Sequence, residues 1–158
     1  VRVPTLILDD GTVLTDSAAI LDYLDAQVPE DRALLPRREP ARHKALRVTT
    51  LACGMAEKAV SLFYERRLHD TVSDVWVARC KGQIEGVLAL LESELTGDWF
   101  GPAMGHADIA FACARRFTPD AHPGVFNWHA FPRLTDLSQR LHLLPVFAKI
   151  SQPFVPPA

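Results

Sequence analysis

The stretch Val3-Pro4-Thr5-Leu6-Ile7-Leu8-Asp9-Asp10-Gly11-Thr12-Val13-Leu14-Thr15-Asp16-Ser17 decides the fold. Pro4 to Leu8 reads as a short strand and Thr12 to Thr15 as its return. Asp10-Gly11 between them is a hairpin turn, because glycine reaches positive φ without steric cost. At Ser17 the period changes. Ala18, Ile20, Leu21 and Leu24 share one helical face, which predicts a helix to about Gln27, stopped by Pro29. A two-stranded hairpin is not stable alone, and its edges call for more sheet or another chain.

Outward from this unit the chain changes character. Residues 30–40 hold three acidic residues, three basic residues and two prolines, and read as a linker. Beyond Pro40 the period is helical. Residues 41–68 predict one long helix with Leu46, Cys53, Ala56, Val60 and Phe63 on its inner face and Gly54 permitting close packing. Thr71 with Asp74 reads as a capping signal. Val77, Cys80, Ile84, Val87, Leu88, Leu91 and Leu95 then line the clearest helix. Residues 97–105 read as a loop. Asp108–Phe117 reads as a short, very apolar helix of the kind that sits centrally, with 118–130 irregular after it. Helices from Pro132 to about Leu143 and from Pro145 to Ile150 precede an irregular tail. The expected division is therefore 1–29, a linker at 30–40, and an all-helical domain at 41–158.

Composition bounds the class. The chain has 158 residues, with 48% hydrophobic and 23% charged, the profile of a globular protein with its own core. A net charge of -2 argues against charge-driven nucleic-acid binding. That charge is uneven: residues 1–36 carry two basic and seven acidic groups, net -5, and residues 37–158 carry fifteen and twelve, net +3. No apolar run approaches the roughly 18 residues of a membrane span. Cys53, Cys80 and Cys113 form neither a disulfide framework nor a metal knuckle, which fits a reducing, cytoplasmic setting. The first residue is Val1 rather than Met, so the chain reads as a fragment.

Several residues carry candidate chemistry. Pro4 cannot donate to a ladder; it is either an ordinary trans proline at a strand start or a cis proline in a tight turn. Asp16 and Ser17 stand where strand becomes helix. They either cap the helix or bind a ligand: the Ser17 hydroxyl and first-turn amides suit a carboxylate, and Asp16 suits an ammonium group. Tyr64 and Arg67 close the long helix, facing a cleft or ending in solvent. The three tryptophans read as packing anchors, and the cysteines as inert residues on apolar stripes. His122 and His129 are a weak zinc idea, and no metal site is expected. No phosphate loop or serine-nucleophile motif is present.

Taken in order, Val3-Pro4-x-Leu6, Asp10-Gly11 and Leu14-Thr15-Asp16-Ser17-x-x-Ile20-x-x-Tyr23-Leu24 resemble the second half of the thioredoxin-like domain of cytosolic glutathione S-transferases. Glu65-Arg66-Arg67, Gln83-Ile84, Ala107-Asp108-Ile109-Ala110 and Asn127-Trp128 before Phe131-Pro132-Arg133-Leu134 resemble their helical domain. The bacterial branch is the most similar. The resemblance implies an α/β thioredoxin-like N-terminal domain, of which only the second half is present, followed by an all-α C-terminal domain. The family's first strand, first helix and second strand are not in the chain.

The resemblance also implies roles. Pro4 matches the family's cis-proline, and the Val3 backbone the group that pairs with the cysteinyl backbone of glutathione. Asp16 and Ser17 match the pair that holds the γ-glutamyl end. Tyr64 and Arg67 would wall the site of a small electrophile. Asp108 matches the buried aspartate of a Ser/Thr-x-x-Asp capping box whose cap position here is Gly105, a substitution costing only a few tenths of a kcal/mol. The implied activity is attack of the glutathione thiolate on an electrophile, with glutathione as co-substrate and a homodimer as the assembly. The Tyr, Ser or Cys that stabilises the thiolate would lie outside this chain, so the parent is expected to be the enzyme and the fragment alone inactive. Two other readings are a non-catalytic glutathione-binding or partner-docking module and a glutathione-dependent reductase or peroxidase.

Overall fold

The computed structural model describes residues 3–156. Strand β1 (Thr5–Ile7) and strand β2 (Val13–Thr15) pair antiparallel as a two-stranded sheet. The turn is built as the sequence requires. Gly11 has φ 85°, its amide donates to the Leu8 carbonyl at 2.9 Å, and the Thr12 amide donates to Asp10 Oδ1 at 2.8 Å. That amide also holds the Asp10 carboxyl below its ordinary range.

Helix α1 (Ser17–Ala26) follows directly on β2. Its expected apolar face is not the buried one: Leu21 and Leu24 are about half exposed, and the buried residue is Asp25. The reason is polar. Asp25 reaches two amides in the following segment, Leu34 N–H at 2.6 Å and Leu35 N–H at 3.2 Å. Arg37 Nη2 donates to the Asp25 and Val28 carbonyls at 2.7 and 2.9 Å. The segment between the two units, which includes a 3-10 turn at Glu30–Arg32, is thus pinned at named points.

The helical part comprises α2 (Ala41–Leu68), α3 (Asp74–Glu94), α4 (His106–Ala121), α5 (Pro132–His142) and α6 (Pro145–Ile150). A fold of a small sheet and helix ahead of an all-α domain is therefore present. Helix α4 packs on α2 and α5, and α3 packs on the same two helices. Phe111 of α4 is fully buried among Ile84, Leu88 and Leu91 of α3 and Leu134, Leu137 and Leu141 of α5 in one core. Each such side chain contributes about 1.5–3 kcal/mol by leaving water.

Five expectations change. The inner face of α2 is Val48, Ala52, Met55, Ala59 and Leu62, whereas Leu46, Cys53 and Val60 are exposed. Helix α2 carries two apolar stripes, and small Ala52 and Ala59 win the interior because α4 packs closely there. Gly54 has open space where a Cβ would stand, so it is not the close contact. The cap of α3 is Ser73, not Thr71: its Oγ accepts from Trp76 N–H at 3.3 Å, while its own amide donates to Glu65 Oε1 at 2.7 Å. Helix α4 runs four residues past Phe117, through Pro119. A proline in the last turn forfeits only one intrahelical bond, and Thr118 Oγ1 donates to the Ala114 carbonyl at 2.8 Å beside it. Residues 128–130 form a 3-10 turn within the stretch expected to be irregular. Residues 151–156 form no regular element. Val1, Arg2, Pro157 and Ala158, which the expected domains include, lie outside the described residues.

Candidate functional site

The hairpin register builds the first part of the site. Thr5 pairs with Thr15, Leu6 with Leu14 and Ile7 with Val13. Continuing that ladder by one residue sets Pro4 opposite Asp16, so Val3-Pro4 and Asp16-Ser17 occupy the same end of the hairpin. The Val3-Pro4 peptide is cis.

Asp16 is the N-cap of α1. Its Oδ1 accepts from Ala18 N–H at 2.9 Å, and its carbonyl receives Ile20 N–H at 3.1 Å. Its backbone has φ 78° and ψ 136°, and it is the only described non-glycine residue at positive φ. Such a conformation costs about 1–3 kcal/mol outside glycine and persists where surroundings enforce it, commonly at ligand sites. Ser17 is the first residue of α1, exposed, with the amide end of the helix around it. Capping and ligand binding are not exclusive, because a carboxylate offers about four acceptor positions.

Cys53 of α2 lies within electrostatic reach of Asp16. The Asp16 carboxylate and Glu57 act on the Cys53 thiol, which burial chiefly pushes up. Tyr64 and Arg67 lie farther along the same helix, about three to four turns beyond Cys53. Both are exposed, and the Tyr64 ring meets Phe63 edge-on at 5.6 Å. The register thus puts Val3, Pro4, Asp16 and Ser17 beyond the same end of the hairpin ladder, while Tyr64 and Arg67 lie toward the C-terminal end of α2.

Near that far end a second recess opens. Phe154 of the tail stands edge-on to Phe63 at 5.5 Å and to Phe117 at 5.4 Å. A cavity of about 400 Å³ lies beside it, lined by Cys113, Arg116, Phe117, Phe147 and Phe154. A larger cavity of about 580 Å³ lies between the 30–40 segment and the 100–108 loop, and none of the candidate ligand residues lines it.

The supporting residues behave as polar structure. Asp108 is buried and accepts from Phe100 N–H at 3.0 Å and Gly105 N–H at 2.9 Å. Burial pushes its carboxyl up against the pull of those amides. Gly105 caps α4 because nothing larger fits: a Cβ there would stand 2.5 Å from the Leu34 carbonyl oxygen. His122 is buried, and its Nε2–H donates to the Ala59 carbonyl at 2.8 Å, so it braces α4 against α2. Among the described residues no three His, Cys, Asp or Glu side chains are grouped to hold a metal ion. Among them also, no helix is long and apolar enough to cross a membrane.

Sequence reasoning passed over Asp25. Its Oδ1 also lies 3.6 Å from His106 Nε2 at the start of α4, so one side chain ties α1, the connecting segment and the helical domain. The available signal was an acid in the last turn of a helix, where basic residues suit the dipole.

Comparison with known proteins gives a consistent picture. The glutathione S-transferase N-terminal domain family matches residues 1–27 and the C-terminal domain family matches residues 74–140. A glutathione transferase family member from Pseudomonas fluorescens Pf-5, solved with bound glutathione, is 31% identical with a TM-score of 0.84; the match covers 97% of this chain and 75% of that one. A glutathione S-transferase from Methylobacterium radiotolerans JCM 2831, solved with glutathione sulfonate, is 30% identical with a TM-score of 0.84, covering 99% and 76%. Glutathione S-transferase GstA of Escherichia coli O157:H7 is 44% identical over 45 residues, 28% of this chain and 22% of that protein's length.

Proposed function

The chain belongs to the cytosolic glutathione S-transferase family, bacterial type, and we propose on that premise that it binds glutathione and serves conjugation of its thiol to an electrophilic small molecule. The observation that supports this reading is the hairpin register, which ends at Thr5 opposite Thr15 and so leaves Pro4 and Asp16 next in line on the two strands, with Asp16 held at positive φ. Both closely similar structures named above hold glutathione or a derivative of it.

On this reading the Ser17 hydroxyl and backbone amide hold the γ-glutamyl carboxylate, favoured by the helix dipole. The Asp16 carboxylate faces the adjacent ammonium group, and the Val3 backbone pairs with the cysteinyl backbone of the tripeptide. Tyr64, Arg67 and the nearby aromatic residues line the space for the electrophile. The exposed Leu21, Leu24, Leu46 and Val60 on α1 and α2 support a homodimer, with α1 and the long helices α2 and α3 at its interface. Three free cysteines support a reducing, cytoplasmic location.

Titration calorimetry with Ser17→Ala tests the assignment. Loss of one charge-assisted hydrogen bond, about 1.5–3 kcal/mol, weakens glutathione binding roughly 10- to 150-fold. Glutathione esterified at the γ-glutamyl carboxylate binds weakly to the wild type and loses little more on Ser17→Ala. Unchanged affinity in a folded Ser17→Ala protein leaves Ser17 a plain first-turn residue of α1 and overturns the assignment.

A further inference from the structure

Helices α4 and α5 share a recess of about 330 Å³, lined by Arg115, Arg116, Asp120, Thr135, Ser138 and His142. None of the residues proposed above to hold glutathione lines it. Two of its residues carry a buried polar atom with no hydrogen-bond partner, Arg115 Nε and His142 Nε2. Buried polar atoms are nearly always paired in folded proteins, so two orphans on one recess point to a ligand that pairs with both. Each side chain is held in place. The Arg115 guanidinium carbon lies 3.8 Å from the centre of the Trp128 ring, and Thr135 Oγ1 donates to the Trp128 carbonyl at 3.4 Å. His142 Nδ1 lies 2.6 Å from the Ser138 carbonyl oxygen. A carbonyl only accepts, so Nδ1 carries the proton, and Nε2 of the neutral ring carries the lone pair. Burial works against the Arg115 charge more than the Asp120 carboxylate supports it. Arg116 adds a second cation, and its Nη2 donates to the Gln152 carbonyl at 3.4 Å.

We propose that this recess binds a small oxyanion that still carries a proton, hydrogen phosphate being the simplest. Its bare oxygens accept from the Arg115 Nε–H and from the Arg116 guanidinium, the charge-assisted pairing that the planar fork of arginine favours. Its hydroxyl donates to His142 Nε2, so both orphan atoms gain a partner. An anion that only accepts, such as sulfate, satisfies Arg115 equally well but sets an oxygen lone pair against the Nε2 lone pair. Asp120 is the one carboxylate among the described residues lining the recess, against two guanidinium groups, so an anion is the favoured charge. The bound anion ties α4 to α5 and stabilises the fold by mass action.

The test compares inorganic phosphate with sulfate at matched ionic strength, by titration calorimetry and thermal unfolding of the chain at about pH 8, where an ordinary imidazole is neutral. The expected result is saturable binding of one phosphate per chain and a midpoint that rises with phosphate concentration. Sulfate binds at least about tenfold more weakly, and it also controls for the general stabilisation that excluded salts give. Arg115→Lys keeps a charge over Trp128 but loses the Nε–H and the fork. His142→Phe keeps a ring against Phe147, whose centroid lies 5.3 Å away, but loses the lone pair. Each variant weakens phosphate by about tenfold or more. Should either variant unfold, the wild type still decides the matter, because phosphate shifts the Arg115 Nε–H resonance in proton–nitrogen NMR. No saturable phosphate binding, equal affinity for phosphate and sulfate, folded variants that keep the wild-type affinity, or an unmoved Arg115 resonance overturns the proposal.

Discussion

Gly105 meets Leu34 backbone to backbone: a Cβ on Gly105 would lie 2.5 Å from the Leu34 carbonyl oxygen, which also receives the His106 amide at 3.0 Å. Capping preference alone favours Ser over Gly here by a few tenths of a kcal/mol. The contact reverses that. Gly105→Ser and Gly105→Ala each destabilise by about 1–3 kcal/mol, the scale of an overpacked site. Thermal unfolding reads this as a fall of roughly 2–4 °C per kcal/mol for a chain this size. A Ser variant that melts above the wild type rejects the argument.

Asp25 is the second structural lever. Asp25→Ala leaves the Leu34 and Leu35 amides without their acceptor. Each unsatisfied buried donor costs about 1–3 kcal/mol, and Asp25→Asn retains one acceptor and loses less. Urea unfolding ranks wild type above Asn above Ala. Amide hydrogen exchange at Leu34 and Leu35 accelerates before exchange in the core of α3.

His122 gives the fold an acid-side dependence. Burial, with Arg66 adding to it, holds the imidazole below its ordinary 6.5. The unfolded chain therefore binds a proton that the native state refuses, so stability rises with pH across this window. It is fully present above about pH 6.5 and is lost as pH falls through that value toward the depressed native one. His122→Gln keeps a donor for the Ala59 carbonyl and removes the titration. Its urea midpoint is flatter than the wild type's between pH 7 and 5, and equal slopes reject the assignment.

Phe154 fastens the tail. Edge-on aromatic pairs contribute about 0.5–1.5 kcal/mol beyond the area they bury. Phe154→Ala destabilises by about 1–3 kcal/mol and widens the recess beside Phe117. A double-mutant cycle with Phe117→Leu shows coupling of at least about 0.5 kcal/mol. Strict additivity shows that the ring contact is idle.

Much of the architecture was legible because it is local. The Asp-Gly turn, the change of period at Ser17 and the stops at Pro29 and Pro40 place the elements closely. α2 and α6 match the expected spans residue for residue. Faces were harder to read. The inner stripe of α2 runs through Ala52 and Ala59 rather than larger Leu46 and Val60, because helix spacing, a tertiary quantity, selects small side chains. Pro119 reads as a breaker, yet at the end of α4 it costs one bond and the helix continues. At the site, the proline and the acid-serine pair were legible as motif. The register that the turn enforces leaves them beyond the same end of the ladder. Asp25 was not, since its partners are amides nine and ten residues away that no periodicity marks.

Asp25 and Ser17 sit at opposite ends of α1, a stiff rod of ten residues and so about 15 Å long. Its base is clamped by the Leu34 and Leu35 amides and its tip carries the Ser17 hydroxyl, proposed above to hold glutathione. A tilt of about 4° at the clamp carries the tip through about 1 Å, a displacement that can cost a reacting site on the order of 100-fold. The aim of Ser17 is therefore set by two backbone amides at the far end of its own helix, and the chain's connecting segment works as a gunsight mount rather than a tether.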